Sequence, residues 1–167
     1  MDARINQLLS VALLLVPCLA IAQREGTPDN TFGGQVLVSL HGVNQMEIAA
    51  GQLALTHSSS GAVRQFGADL VKDHSSADET VIALAAKRNV TLAPAKDDDG
   101  MKRLASLKDE AFDAVFLQMM VDGHVKTIAL VQSAMKRVAE PQLATFLKML
   151  LPTLETHRDR ALALSRM

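Results

Sequence analysis

Four ionisable side chains fall on the apolar faces of four predicted helices, one in each helix. They are Glu47, His74, His124 and His157. Imidazole nitrogens and carboxylate oxygens are common ligands of transition metals. Burying such groups in an apolar core is costly unless each one finds a partner. The pattern therefore predicts either a site for one divalent metal ion or a buried hydrogen-bond network among the four residues.

Hydrophobic periodicity supplies the four helices that must position these side chains. Apolar residues recur at alternating steps of three and four over roughly 34–57, 61–88, 109–138 and from Pro141 onward. A long connection, 89–108, separates the second helix from the third, and 101–107 within it predicts a short helix. The pattern predicts an all-α four-helix bundle with a long connection between helices two and three. That connection could cross the length of the bundle or fold back, and both topologies remain open.

Counting along each hairpin places the four residues at similar depths. Glu47 lies ten residues before His57, where the first helix ends, and His74 lies thirteen residues after Gly61, where the second begins. The difference of three residues corresponds to a rise of about 4.5 Å. His124 and His157 differ by the same amount in the second hairpin. We therefore expect all four residues near the middle of the bundle.

Other polar residues have weaker assignments. Asp78 follows His74 by one helical turn and could orient its ring. Three residues lie off the apolar faces and are expected to be exposed: His41, Asp73 and Asp122. Three methionines near the four residues keep copper among the candidate metals, with zinc and iron: Met46, Met119 and Met120.

Composition excludes several functions. The chain of 167 residues has no Trp or Tyr, five Phe, one Cys and a formal net charge of −1. Without a basic patch or stacking aromatics, nucleic-acid binding has no support. We find no phosphate-binding loop for a nucleotide, no C-x-x-C-H motif for haem c, and no Ser-His-Asp arrangement. Enzymatic activity is therefore not favoured, and partners remain unknown.

The N-terminus has the pattern of a secretory signal peptide. Arg4 is followed by an apolar stretch, 8–21, and by the cleavage pattern Ala20-Ile21-Ala22. We expect residues 1–22 to be the signal peptide, 23–31 a flexible lead-in and 32–167 the bundle domain. The sole cysteine, Cys18, would leave with the signal. The mature protein is then periplasmic or otherwise exported, with no transmembrane span after cleavage.

Several short motifs resemble one bacterial family of exported proteins. The motifs are 47–54 (EIAAGQLA), Phe66-Gly67, Asp73-His74, Phe112-Asp113, Gly123-His124, and 151–154 (LPTL) with His157. Together they resemble bacterial envelope proteins catalogued as domain of unknown function 4142, over about residues 32–164. The resemblance implies a ferritin-like four-helix bundle and little about activity, because fold alone does not fix chemistry.

The residues around the histidines argue against a ferritin-type di-iron centre. Such a centre needs Glu-x-x-His on two helices and further glutamates on the others. The positions three before the histidines are Val71, Val121 and Leu154, all apolar. The residues therefore predict a single ion rather than two. The alternative is a metal-free structural or stress-related envelope module whose Glu and His residues form a buried hydrogen-bond network.

Overall fold

The computed structural model describes residues 31–93 and 99–167, and the regular structure within them is helical throughout. The helices are α1 (Phe32–His57), α2 (Gly61–Lys87), α3 (Asp99–Ala105), α4 (Asp109–Arg137) and α5 (Pro141–Leu164). The all-α class is confirmed, and the bounds of the four long helices agree with the periodicity to within two residues. The expected signal peptide and all of the lead-in except Thr31 lie outside the described residues, so this division of the chain stays a prediction.

Local side-chain chemistry sets where the helices begin. The hydroxyl of Thr31 accepts a hydrogen bond from the amide of Gly34, and the hydroxyl of Ser60 accepts one from Val63. Glu140 caps α5 through its carboxylate, and Pro141 occupies the first turn. Such caps satisfy amide groups that have no partner inside the helix. At the other end of α2, Asn89 takes a positive φ of 52°, which stops the helix.

The ends of the four long helices show how the two hairpins are related. One end contains the start of α1 and α5 and the end of α2 and α4, as shown by their shared apolar cluster. The opposite end contains the remaining four termini and the short helix α3. Helices α2 and α4 therefore run parallel, and the chain between them must return from one end to the other. This is the crossover arrangement of a ferritin-like bundle, the topology that periodicity alone leaves undecided.

A polar layer divides the core into two apolar clusters. The cluster at the first end includes Leu40, Val81, Val131 and Leu147. The cluster at the other end includes Phe66, Phe112, Phe116 and Leu70. Between them, each long helix turns a buried polar side chain inward: Glu47 from α1, His74 from α2, His124 from α4 and His157 from α5. The four polar side chains therefore lie at a common depth in the bundle, as expected.

Helix α4 has the length and composition of a membrane-spanning helix. Its 29 residues are long and apolar enough to cross a membrane, although we expect no transmembrane span after the signal peptide. The core helix of a bundle has this same composition because its inward face must fill the core. Phe116, Met120 and Val131 on that face are fully buried against the other helices.

Two glycines let α1 and α2 approach closely. A Cβ on Gly67 would lie 2.6 Å from Cβ of Ala54 and 2.8 Å from the carbonyl oxygen of Gly51. A Cβ on Gly51 would lie 2.6 Å from the carbonyl oxygen of Gly67. These neighbours are backbone or a rigid methyl group, so they cannot give way without moving the helices.

We predict that Gly67→Ala destabilises the protein by about 1–3 kcal/mol through overpacking. Gly42→Ala is the matched control, because a Cβ there meets nothing within 4 Å. Alanine in the interior of a helix is favoured over glycine by roughly 0.5–1 kcal/mol, so the control should be stabilised. Urea unfolding of both variants measures the difference. Equal effects in the same direction would contradict the close helix contact.

Candidate metal centre

The three histidines meet in the polar layer. Each of the three rings places one nitrogen within 4.8 Å of a nitrogen of both other rings; the residues are His74, His124 and His157. Their ring centroids are 5.3–5.7 Å apart. The side chains come from three different helices, and none is more than 4% exposed. The bundle thus gathers three of the four predicted residues around one point.

Each histidine uses one ring nitrogen for a hydrogen bond away from that point. Nδ1 of His74 is 2.9 Å from Oδ1 of Asn44, and Nδ1 of His124 is 2.8 Å from the carbonyl oxygen of Met120. Nε2 of His157 is 3.1 Å from Oδ2 of Asp73. All three partners are acceptors, so the bonded nitrogen carries the proton in a neutral ring. The other nitrogen of each ring therefore keeps its lone pair.

The remaining three nitrogens have no hydrogen-bond partner in the structure. They are Nε2 of His74, Nε2 of His124 and Nδ1 of His157, and all are buried. A buried polar atom without a partner is uncommon and costly. Nitrogens bound to one tetrahedral ion at 2.0–2.1 Å lie about 3.4 Å apart, so rings separated as here need move inward by only about an ångström. The three side chains therefore fit a single transition-metal ion.

Glu47 lies beside the three histidines rather than among them. Its Oε1 is 3.5 Å from Nδ1 of His124, but that nitrogen donates its proton to the carbonyl of Met120, and both carboxylate oxygens lack a hydrogen-bond partner. A Cβ on Gly123 would lie 3.4 Å from the same oxygen, so the glycine helps to make room for this carboxyl group. Glu47 therefore lies next to His124 without bonding to it.

Burial favours the neutral form of these groups. It raises the pKa of the Glu47 carboxyl from 4.5 to about 8. Burial, with the neighbouring His124 and His157, lowers the pKa of His74 from 6.5 to about 3. Burial likewise lowers the pKa of His124 to about 4 and shifts the pKa of His157 downward. Near neutral pH the centre therefore presents three uncharged imidazoles, the form in which histidine binds metals.

Several polar neighbours differ from expectation. Asp73, expected to be exposed, is 37% exposed, but it also accepts a hydrogen bond from His157, which was not expected. His41, also expected to be exposed, is 12% exposed and bonds to Asp78. Asp122 is exposed as expected. Asp78 is connected to His74 through Asn44, which hydrogen-bonds to both.

Asn44 was missed, although the sequence contains a signal for it. The apolar spacing of α1 favours Val43 as the inward residue, whereas Asn44 is the residue that is buried. Asn44 is four residues after Leu40 and three before Glu47, the spacing of a single helix face. A polar residue at such a position is a candidate to orient a neighbouring histidine.

Comparison with known families agrees with this architecture. The family described as "Domain of unknown function (DUF4142)" matches residues 20–164. The chain belongs to this family. A comparison with curated proteins gave no significant match.

Solved structures share the fold of this DUF4142 protein. CopM in its Cu(I)-bound form aligns with a TM-score of 0.72 at 12% identity, over 81% of this chain and 96% of CopM. CopM in its Cu(II)-bound form gives 0.69 at 12% identity, over 80% and 95%. A DUF305 fragment from Deinococcus radiodurans gives 0.72 at 14% identity, over 84% of this chain and all of the fragment. Identities this low show the fold alone.

We predict that the stability of the metal-free protein is greatest near pH 6.5. As pH falls from about 8, the folded protein takes up the Glu47 proton before the unfolded chain does, which stabilises the fold. Below pH 6.5 the unfolded chain protonates His74 and His124 while the folded protein does not, which destabilises the fold. Each group contributes about 1.4 kcal/mol per pH unit. Urea unfolding of metal-free protein from pH 5 to pH 8 measures this curve.

The variant Glu47→Gln separates the contribution of Glu47 to the pH dependence of stability from that of the histidines. The variant should lose the gain in stability between pH 8 and 6.5 and show a steeper loss below pH 6.5. A wild-type free energy of unfolding that is flat from pH 8 to pH 5 would contradict the buried, neutral state of these side chains.

Proposed function

We propose that this protein is an exported binding protein for a single transition-metal ion. The ligands are His74, His124 and His157, and Glu47 supplies the fourth ligand or the balancing negative charge. The observation that carries the proposal is the set of three buried ring nitrogens without partners, one from each histidine. A metal-free network would instead be expected to pair these atoms with one another or with Glu47.

Copper is the first ion to test, followed by zinc and iron. Three imidazoles suit all of these ions. Two of the solved structures with this fold are described as copper-bound CopM, which supports copper without fixing the choice here. When bound, the ion would supply charge and, for copper or iron, a redox couple. The chain's own residues hold the three rings, exclude water and keep the ring protons on the outer nitrogens.

Export rests on the N-terminal sequence. The apolar stretch before Ala20-Ile21-Ala22 supports cleavage after Ala22 and a periplasmic location. A mature chain without cysteine suits an oxidising compartment, because it has no thiol to be oxidised there. A protein of this kind would store, buffer or carry the ion outside the cytoplasm.

We predict that the mature protein, purified without chelator and loaded with copper, zinc or iron, binds close to one equivalent of its preferred ion. His74→Ala and His124→Ala should each reduce binding to less than about a tenth of an equivalent, because two remaining imidazoles hold an ion poorly. Elemental analysis after gel filtration measures the ratio. A chelator should lower the melting temperature of the loaded protein, since an ion at a hundredfold excess over Kd adds about 2.7 kcal/mol.

His57→Gln is the matched control. His57 is a partly buried histidine at the end of α1, and it bonds to Thr56 and to the carbonyl of Ala105 at the end of the bundle. It should bind as the wild type does. Binding of less than about a tenth of an equivalent of every ion by wild-type protein, with melting indifferent to chelator, would refute the proposal.

A further inference from the structure

A buried carboxylate is connected to the centre through one intervening side chain, Asn44. Asp78 on α2 is 4% exposed and accepts three hydrogen bonds from α1. The donors are Nδ1 of His41 at 2.8 Å, Nε2 of Gln45 at 2.7 Å and Nδ2 of Asn44 at 3.4 Å. All three bonds join α1 to α2, and two of them, from His41 and Gln45, involve residues that do not bond to the histidines of the centre. The third reaches the residue that contacts His74.

The bond to Asp78 decides which way the amide of Asn44 points. Its Nδ2 group donates to Asp78, so its Oδ1 must face His74, where it accepts from Nδ1 at 2.9 Å. The reverse orientation would set the amide oxygen against a carboxylate oxygen, two acceptors in contact. It would also offer His74 a donor, which requires an unprotonated Nδ1 and therefore places the ring proton on Nε2.

We propose that Asp78 is a positioning residue that, through Asn44, holds His74 in the tautomer protonated on Nδ1. This leaves the lone pair of Nε2 toward His124 and His157. The inference rests on the proposed function only for its consequence in metal binding; the tautomer itself is a property of the metal-free protein. An imidazole proton on Nε2 would block that nitrogen as a ligand.

The tautomer can be read directly in the metal-free protein. Long-range ¹H–¹⁵N spectra of protein labelled on histidine distinguish a protonated ring nitrogen from an unprotonated one. For wild-type protein at pH 7 we expect His74 protonated on Nδ1. Asp78→Asn, which is isosteric but can donate to a reversed Asn44, should raise the fraction protonated on Nε2 several-fold. Glu79→Gln changes an exposed carboxylate on the same helix and should leave the spectrum unchanged.

Exchanging the two residues provides the rescue. In the double variant Asn44→Asp with Asp78→Asn, position 44 carries the carboxylate, whose two oxygens are equivalent. The amide at position 78 then donates to this carboxylate from the side away from His74. One oxygen can then accept from Nδ1 of His74 in either orientation, so the wild-type tautomer should return. If Asp78→Asn does not fold, Asn44→Ala serves instead, because it keeps the bonds of Asp78 to His41 and Gln45 and should also lose the tautomer preference.

Copper(I) affinity, measured by competition with a chromophoric chelator, gives the second readout. We expect Asp78→Asn to weaken binding by about 10- to 100-fold, the usual effect of losing a partner that orients a ligand, and the exchanged pair to recover it. An unchanged His74 tautomer in Asp78→Asn and in Asn44→Ala would overturn the inference, as would an exchanged pair that restores neither readout. Absence of metal binding by wild-type protein would overturn the proposed function and leave the tautomer result standing.

Discussion

The hydrogen bonds that hold the outer nitrogens of three buried histidines are the interactions on which this bundle's centre depends. Each one fixes a ring in one orientation and one tautomer, and each comes from a different kind of acceptor: the amide of Asn44, the carbonyl of Met120 and the carboxylate of Asp73. Without them the rings could rotate or exchange protons. With them, three lone pairs remain in a region that water does not reach, where a polar atom without a partner is most costly.

The fold confines the partnerless buried nitrogens to a single polar layer. The two apolar clusters on either side of this layer contain four of the five phenylalanines. The fifth, Phe32, packs against Arg137 at one end of the bundle. The glycines at the contact of α1 and α2 draw these helices together next to the layer. Because α2 and α4 lie diagonally opposite each other in the bundle, their two histidines approach from opposite sides of the core. A bundle that placed these helices side by side would bring the same residues together with a different geometry.

Much of this could be read from the sequence, for identifiable reasons. Periodicity fixes which face of each helix is buried, and short hairpin turns fix the relative depth of residues on paired helices. That is why His74, His124 and His157 were expected at one level. The crossover of the long connection could not be read, because a linker of that length permits both topologies. Asn44 and Asp73 were misjudged because adjacent positions differ by about 100° around a helix, so their roles depend on which helix lies beside that edge.

The arrangement also bears on what metal binding would require of the chain. In a flexible chain, an ion must displace protons from imidazoles that are partly charged and must also gather three mobile side chains. Here burial already holds His74 and His124 neutral, with pKa values of about 3 and 4. The rings are within about an ångström of tetrahedral ligand spacing, and their protons already point outward. The free-energy cost of neutralising and ordering the three ligands is thus met when the protein folds. An ion that enters the centre would give the three partnerless nitrogens a ligand bond and so offset the cost of burying them.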